Sequence, residues 1–380
     1  MSAPSRPPIF IITHEFYPRR GGIATFAEEM AGGAAQAGLP VEVWAQALPA
    51  GQVEKSWPFL VHRLRLKGSH NLICQIRLAR QLIRHRRDLR RAIVHLAEPG
   101  PMYALMWLQL LHAFRPKRIQ MTFHGSEILK FHHNRLMRPL ARRLIQHAER
   151  ISTLTQFTRD LLIQHFPEAA GKTVITPGAL RAELTGTTIP SPTPQAKVVI
   201  LTVGRLHPRK GQLQTLKALQ SLPAEQRAQV EYWIAGGEAK QNYDELLRQQ
   251  AAQSDVTVKF LGNLPDEQLG PIYDQADIFA LTSIPHSHSI EGFGLVYLEA
   301  SAHGLPVVAH AIGGVAEAVS DGETGLLISP AEPDALTAAF ARLIADPVLR
   351  RRLGDHGRVW ARRNNWKSSA EALFNPAANP

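Results

Sequence analysis

Short apolar runs alternate with longer stretches in which apolar residues return every three or four positions, and the scheme occurs twice along the chain. In the first half "PIFIIT" from Pro8, "VEVWAQ" from Val41, "AIVHLAE" from Ala92, "RIQMTFHG" from Arg118, "ISTLT" from Ile151 and "TVITPGA" from Thr173 are runs of strand length bounded by turn residues. In the second half "KVVILTVGRL" from Lys197, "VEYWIAGG" from Val230, "VTVKFLGNL" from Val256, "DIFALTS" from Asp277, "LPVVAH" from Leu305 and "GLLIS" from Gly325 repeat the pattern. Strands separated by helices predict parallel sheets covered on both faces. The expected architecture is two doubly wound, Rossmann-like α/β domains facing across a cleft, with ligands at the carboxyl ends of the strands. "TGTTIPSPTPQA" (Thr185 to Ala196), with four threonines and three prolines, reads as a linker. The expected division is therefore 1–184, a linker at 185–196, and 197–357. "GPMYALMWLQLLHAF" (Gly100 to Phe114) is the most apolar helix and is too short to span a bilayer, so it is expected in the core.

Composition supports two domains: 380 residues, 44% of them hydrophobic, exceed what a single core usually organises. A single cysteine, Cys74, excludes an intrachain disulfide and a cysteine-rich metal site, and fits a reducing compartment. The apolar run from Ile9 is shorter than the roughly 7 to 15 residues of a secretory leader. No uninterrupted apolar stretch reaches the roughly 18 residues of a membrane span. A cytoplasmic protein is expected. The net charge of +11 is uneven: residues 1–180 hold 25 Lys and Arg against 11 Asp and Glu, residues 181–380 hold 18 against 21. The excess lies in "RLARQLIRHRRDLRRA" (Arg77 to Ala92) and "RLMRPLARRLIQHAER" (Arg135 to Arg150), both of helical period. These are either solvated helix faces or a surface for anionic lipid or an acidic acceptor. Nucleic acid is not indicated, because no helix-turn-helix, zinc-finger or RNP-type motif accompanies the charge.

Candidate chemistry sits in the loops after strands. "THEFYPRRGGIATFAEEM" places Gly21 and Gly22 before a helix starting near Ile23, where backbone amides and the positive helix end face an anion. It does not match the dinucleotide fingerprint, and the chain has no Walker-type loop, which disfavours a nicotinamide dehydrogenase or a P-loop enzyme. In "LTVGRLHPRKGQLQTLKAL" a strand ends at Val203, Gly204 turns, and Arg205 and Lys210 precede an amphipathic helix. Two cations near a positive helix end call for an anion, and a diphosphate suits an Arg and a Lys. "IAGGE" and "FLGNL" place further glycines at strand ends.

"EGFGLVYLEASAHGLPVVA" puts Glu291 in a loop, a helix start near Gly292 or Gly294, and Glu299 inside that helix. The amides of Phe293, Gly294 and Leu295 then point out of the helix end. Glu299 is a lone acid among apolar neighbours, either a surface carboxylate or one with a buried partner or ligand.

Together, the E-x7-E pair Glu291/Glu299, "VGRLHPRKG", "IAGGE", "FLGNL", "YDQADIFALTS", "AIGGVAEAVSDGETGLLI", "HEFYPRRGGIATFAEEMA" and "TFHGSE" resemble, in order along nearly the whole chain, the retaining GT-B glycosyltransferases of family 4. "IEGFGLVYLEASAHGLPVVA" and "FYPRRGGI" are most similar to the mannosyltransferases of the phosphatidylinositol mannoside type. The resemblance implies that Arg205 and Lys210 neutralise the donor diphosphate. It implies that Glu299 binds the ribose and Glu291 the transferred sugar, with amides from Phe293, Gly294 and Leu295. Gly22 would admit diphosphate and acceptor, His124 would contact the sugar near the reacting carbon, and Leu264 is a candidate for the base pocket. No cofactor and no metal is implied, the donor being GDP-mannose or a UDP-sugar. The acceptor would be a lipid-linked, saccharide or other hydroxyl compound, with peripheral contact to the inner face of an anionic membrane. A last helix at about 358–380 would return to complete the first domain. A nucleotide-sugar 2-epimerase on the same architecture and a non-catalytic anionic-lipid- or polyanion-binding protein are the competing readings.

Overall fold

The computed structural model describes residues 6–66, 71–111, 116–185, 197–237, 242–287 and 289–375. The segment expected as a linker lies outside the described residues except for Thr185, which ends the short helix Ala182–Thr185.

The chain divides into two compact units. One runs to Gly178 and takes in the chain again from Asn364; the other is Ala179–Arg363. The first unit holds β1 (Ile9–Ile12), β2 (Val41–Gln46), β3 (Leu60–Leu64), β4 (Ile93–Leu96), β5 (Arg118–Phe123), β6 (Arg150–Thr153) and β7 (Thr173–Ile175) in the order β3-β2-β1-β4-β5-β6-β7. The second holds β8 (Val198–Val203), β9 (Val230–Ala235), β10 (Thr257–Gly262), β11 (Ile278–Leu281), β12 (Val307–His310) and β13 (Gly325–Ile328) in the order β10-β9-β8-β11-β12-β13. Every paired strand is parallel. Both sheets are Rossmann-like, and each reverses its winding once, between β1 and β4 and between β8 and β11. Loops leaving those adjacent strands diverge and leave a crevice at the carboxyl edge.

The central strands are buried on both faces, as in β1 (Ile9, Phe10, Ile11, Ile12) and β11 (Ile278, Phe279, Ala280, Leu281), which is why they read as unbroken apolar runs rather than alternating ones. The apolar helix is shorter than expected. It runs Pro99–Leu108 with Met102, Leu105 and Met106 buried, while Trp107, Leu110 and Leu111 are exposed, so the end of this segment leaves the core.

The units exchange chain at other positions than the sequence suggests. The first crossing is at Gly178 rather than 184. The return is at Asn364 rather than about 358, because residue 358 is inside the continuous helix Pro347–Ala361, which belongs to the second unit. The returning helix Trp366–Phe374 starts at Asn365, whose side chain accepts from the Ser368 amide at 2.8 Å. It lies on the helix Gly22–Gln36, and Phe26 meets Trp366 edge-on at 5.8 Å. Contact is closest at Gly33: a β-carbon there would stand 2.3 Å from the Trp366 carbonyl oxygen. Gly33→Ala is expected to cost about 1–3 kcal/mol by overpacking, read as a lower midpoint of urea unfolding for the transition that reports the first unit.

Candidate active site

At the reversal of the second sheet, the loops after β8 and β11 are clipped together before any charged group is considered. Gly211 has φ +75°, and a β-carbon on it would lie 1.8 Å from the Thr282 carbonyl oxygen, so only glycine fits. Thr282 donates its hydroxyl to the Gly211 carbonyl at 2.8 Å, and the Ile284 amide donates to Arg209 O at 2.8 Å. The single turn Pro208–Lys210 is thereby fixed, with the His207 ring accepting from the Arg209 amide at 3.1 Å.

That turn delivers two cations to one carboxylate. Lys210 Nζ lies 2.7 Å and Arg209 Nη1 2.8 Å from Glu291 Oε2, and the Ser283 hydroxyl donates to the same oxygen at 3.1 Å. Glu291 Oε1 accepts from none of the described residues. The Glu291 carbonyl in turn accepts from the Gly314 amide at 3.0 Å, and Gly313 (φ +56°) must be glycine because a β-carbon there would stand 2.2 Å from the same carbonyl oxygen. Burial pushes the Glu291 pKa up, but Lys210 and Arg209 outweigh it and hold the carboxyl at about 2. A depressed carboxylate contributes stability that is complete above its ordinary value near 4.5 and is lost as the pH falls towards 2. Lys210 is pulled below the usual lysine range by its burial, which together with Arg209 and Arg205 outweighs the attraction of Glu291. Arg205 is exposed on the same loop and pairs with no carboxylate among the described residues. Three cations thus stand against one carboxylate.

The helix Leu295–Ala302 begins beside this cluster. Its N-cap Gly294 is left-handed (φ +86°), and a β-carbon there would meet the Tyr297 ring at 2.5 Å. The Tyr297 hydroxyl donates to Leu281 O at 2.9 Å, tying the helix start to the end of β11. No side chain caps the helix, and the amides of Phe293, Gly294 and Leu295 donate to no group among the described residues. Free amides at a positive helix end add to the anion-attracting field.

Glu299, one turn into this helix, stands in a separate network. Its Oε1 accepts from Arg181 Nε at 3.0 Å and its Oε2 from the Tyr273 hydroxyl at 3.3 Å, while Arg181 Nη1 reaches Asp266 Oδ2 at 2.8 Å. Leu264 is half-buried in the loop before the helix Asp266–Asp274. Its neighbours explain the strand-end glycines: Gly236 donates to Gly262 O at 2.8 Å, and a β-carbon on Gly236 would lie 2.0 Å from Gly204 O, so the ends of β8, β9 and β10 meet through backbone.

Gly22 and His124 belong to the first unit. The helix begins at Gly22, one residue earlier than expected; the strained conformation is at Gly21 (φ +140°), and a β-carbon on Gly22 would meet nothing within 4 Å. His124 Nε2 lies 2.8 Å from the Ala97 carbonyl, which can only accept, so this nitrogen carries the proton. Phe26 holds the ring edge-on at 5.1 Å. At the reversal of the first sheet His14 Nδ1 lies 2.9 Å from Glu98 Oε1, both fully buried, and the Gly100 amide donates to Glu98 Oε2 at 2.6 Å.

Arg209, Ser283, Arg181, Tyr273 and the His14–Glu98 pair are absent from the sequence reading. Arg209 stands beside Lys210 in the quoted loop, and only the turn geometry selects it. For Arg181 no motif signals the role.

Two family models match the chain in order: Glycosyltransferase Family 4 over residues 20–183 and Glycosyl transferases group 1 over residues 189–360. A Mycolicibacterium smegmatis GDP-mannose-dependent alpha-(1-6)-phosphatidylinositol monomannoside mannosyltransferase is 28% identical over 94% of both chains. A Corynebacterium jeikeium D-inositol 3-phosphate glycosyltransferase is 38% identical over 46% of this chain and 42% of its own. Among solved structures, the fold is shared with the sucrose-phosphate synthase of Thermosynechococcus elongatus (TM-score 0.80, 22% identity, 98% of both chains). It is shared too with Anabaena Alr3699/HepE in complex with UDP and glucose (TM-score 0.75, 19% identity, 99% and 100% of the chains). With both parts matched in order and the whole fold shared, the chain belongs to the family 4 glycosyltransferases of GT-B fold, and it resembles the phosphatidylinositol mannoside mannosyltransferases.

Proposed function

We propose that the chain transfers a hexose, with retention of anomeric configuration and without a metal ion, from a nucleotide-diphosphate sugar to a hydroxyl of an anionic, inositol-bearing lipid acceptor. GDP-mannose is the first donor to test, on the name of the full-length relative, with UDP-sugars as the alternative. The observation that carries the reading is the imbalance at Glu291. Lys210 and Arg209 hold a single carboxylate that has one oxygen unoccupied by the described residues, with Arg205 near Lys210 on the same loop and the uncapped start of the helix Leu295–Ala302 following Glu291.

A diphosphate supplies the missing negative charge. As the glycosidic bond breaks, the leaving diphosphate gains charge, and fixed cations stabilise that transition state more than the ground state. In this reading Arg205, Arg209 and Lys210 take the part that a divalent cation plays elsewhere, joined by the amides of Phe293, Gly294 and Leu295. Glu291 is an acceptor for sugar hydroxyls through Oε1, not an acid catalyst, because its pKa of about 2 leaves it without a proton to give at neutral pH. Glu299 takes the ribose and Leu264 borders the base. In the first unit Gly22 is assigned to the acceptor side, and His124, with its proton on Nε2, to a sugar hydroxyl through Nδ1.

The acceptor reading rests on the first unit. Arg63, Arg65, Arg77 and Arg80 line an open pocket of about 330 Å³. On the helix Leu72–Arg84 exposed Leu72, Ile73 and Ile76 share the element with Arg77, Arg80 and Arg84, and the helix Pro99–Leu108, packed between it and the arginine-bearing helix Met137–His147, exposes Trp107. Apolar side chains flanked by cations suit the surface of an anionic bilayer. No helix among the described residues is long and apolar enough to cross a membrane, so the proposed contact is peripheral.

Lys210→Ala is expected to lower kcat/KM for sugar transfer by about 10² to 10³, with wild-type rates unchanged by EDTA; undiminished turnover in the variant contradicts the assignment. Wild-type protein is expected to cosediment with phosphatidylglycerol vesicles at low salt and to be released as salt rises, and Arg77→Glu/Arg80→Glu to stay in the supernatant. Equal sedimentation of the two proteins rules out this surface.

A further inference from the structure

We propose that Arg181 is a positioning residue for the nucleotide end of the donor: it presents the two oxygens of Glu299 to a vicinal diol and ties them to the loop ending at Asp266. The inference rests on the reading of Glu299 as the ribose ligand and adds the group that makes such binding bidentate.

The geometry is specific. Each carboxylate oxygen has two acceptor directions. Arg181 Nε occupies one on Oε1 at 3.0 Å and the Tyr273 hydroxyl one on Oε2 at 3.3 Å, which leaves one on each oxygen. Two adjacent hydroxyls on a ring are the ligand that fills such a pair. Both supports are themselves held. Tyr273 is buried and stacks on His303 at 4.9 Å, and His303 Nδ1 meets Asp274 at 2.7 Å. Arg181 spans to Asp266 Oδ2 at 2.8 Å through Nη1, so its planar fork bridges two carboxylates that would otherwise repel.

Burial works against the Arg181 charge, but Glu299 and Asp266 outweigh it, so the guanidinium stays protonated. Burial, with Glu299 beside it, raises the Tyr273 hydroxyl well above its ordinary range, so it stays a donor. A lysine has one compact ammonium on a flexible stem and cannot hold both acids in one plane. Arg181 is the third residue of the second unit, so the grip on the ribose end starts where the chain enters the donor-binding unit.

The test uses the full chain and titrates GDP, UDP and their 2′-deoxy forms by calorimetry, with donor KM and kcat measured alongside. The wild type is expected to prefer the ribonucleotide to its 2′-deoxy form. Arg181→Gln is expected to weaken ribonucleotide binding and raise donor KM by about 10- to 100-fold, to leave kcat within about twofold, and to erase the preference for the 2′-hydroxyl. Arg181→Lys restores little, and Tyr273→Phe, which removes one hydroxyl, shows a smaller loss of the same preference. In the Glu299→Gln background Arg181→Gln adds almost nothing, as coupled residues require. If Glu299→Gln binds and discriminates like wild type, the ribose reading itself fails. If Glu299→Gln is impaired while Arg181→Gln keeps wild-type KM and discrimination, or if the two losses simply add, the role of Arg181 is overturned.

Discussion

One carboxylate oxygen, Glu291 Oε2, receives Lys210, Arg209 and Ser283 at once, and much of the second unit is arranged so that it can. The turn carrying both cations must be pressed onto the loop after β11, which requires the left-handed Gly211. The backbone of Glu291 must be held from the other side, which the Gly314 amide does. The helix that follows must begin without a cap, at a glycine that leaves room for Tyr297. Each of these is a local demand on sequence, and together they place cations, free amides and one acid at the single reversal of a six-stranded sheet.

Stability alone does not explain the arrangement. Taking two cations and an anion out of water costs several kcal/mol per ion, and a packed apolar replacement is often at least as stable. A cluster whose cations outnumber its acid is worse placed still unless an anion joins it, which is how perturbed charge at a strand edge marks a site. The two glutamates of the E-x7-E pair also differ in kind. Glu291 is bound by cations that a diphosphate would share, whereas Glu299 is braced by Arg181 and Tyr273 away from that charge. Glu291, held at about 2, has no proton to give at neutral pH, which separates this pair from the acid and base of a glycosidase.

Much of this was legible in the sequence, for identifiable reasons. All six strands of the second sheet are quoted runs because each is a short, mostly apolar run of strand length. β3 is absent from the reading: it lies at the sheet edge, where Leu60 is exposed and His62 and Arg63 interrupt the apolar pattern. Arg205, Lys210, Glu291 and Glu299 were readable because their motifs recur in a fixed order. Arg209 was not, because adjacent cations in a loop are equivalent until a one-turn helix orients them. Arg181, His14 and Glu98 were invisible because their partners lie 118, 84 and 84 residues away along the chain, a distance that no local period reports. The returning helix was legible as a helix, but its start was set by where Pro347–Ala361 stops.

The proposed function makes the charge surplus around Glu291 a receptor for a diphosphate. Calorimetric titration of the unmodified protein with guanosine and GDP, and with uridine and UDP, isolates that contribution, since each pair differs only in the two phosphates. Several charge-assisted hydrogen bonds to a buried anion predict that the diphosphate binds at least about 100-fold tighter than its nucleoside. Equal affinities of nucleoside and diphosphate would contradict the central claim.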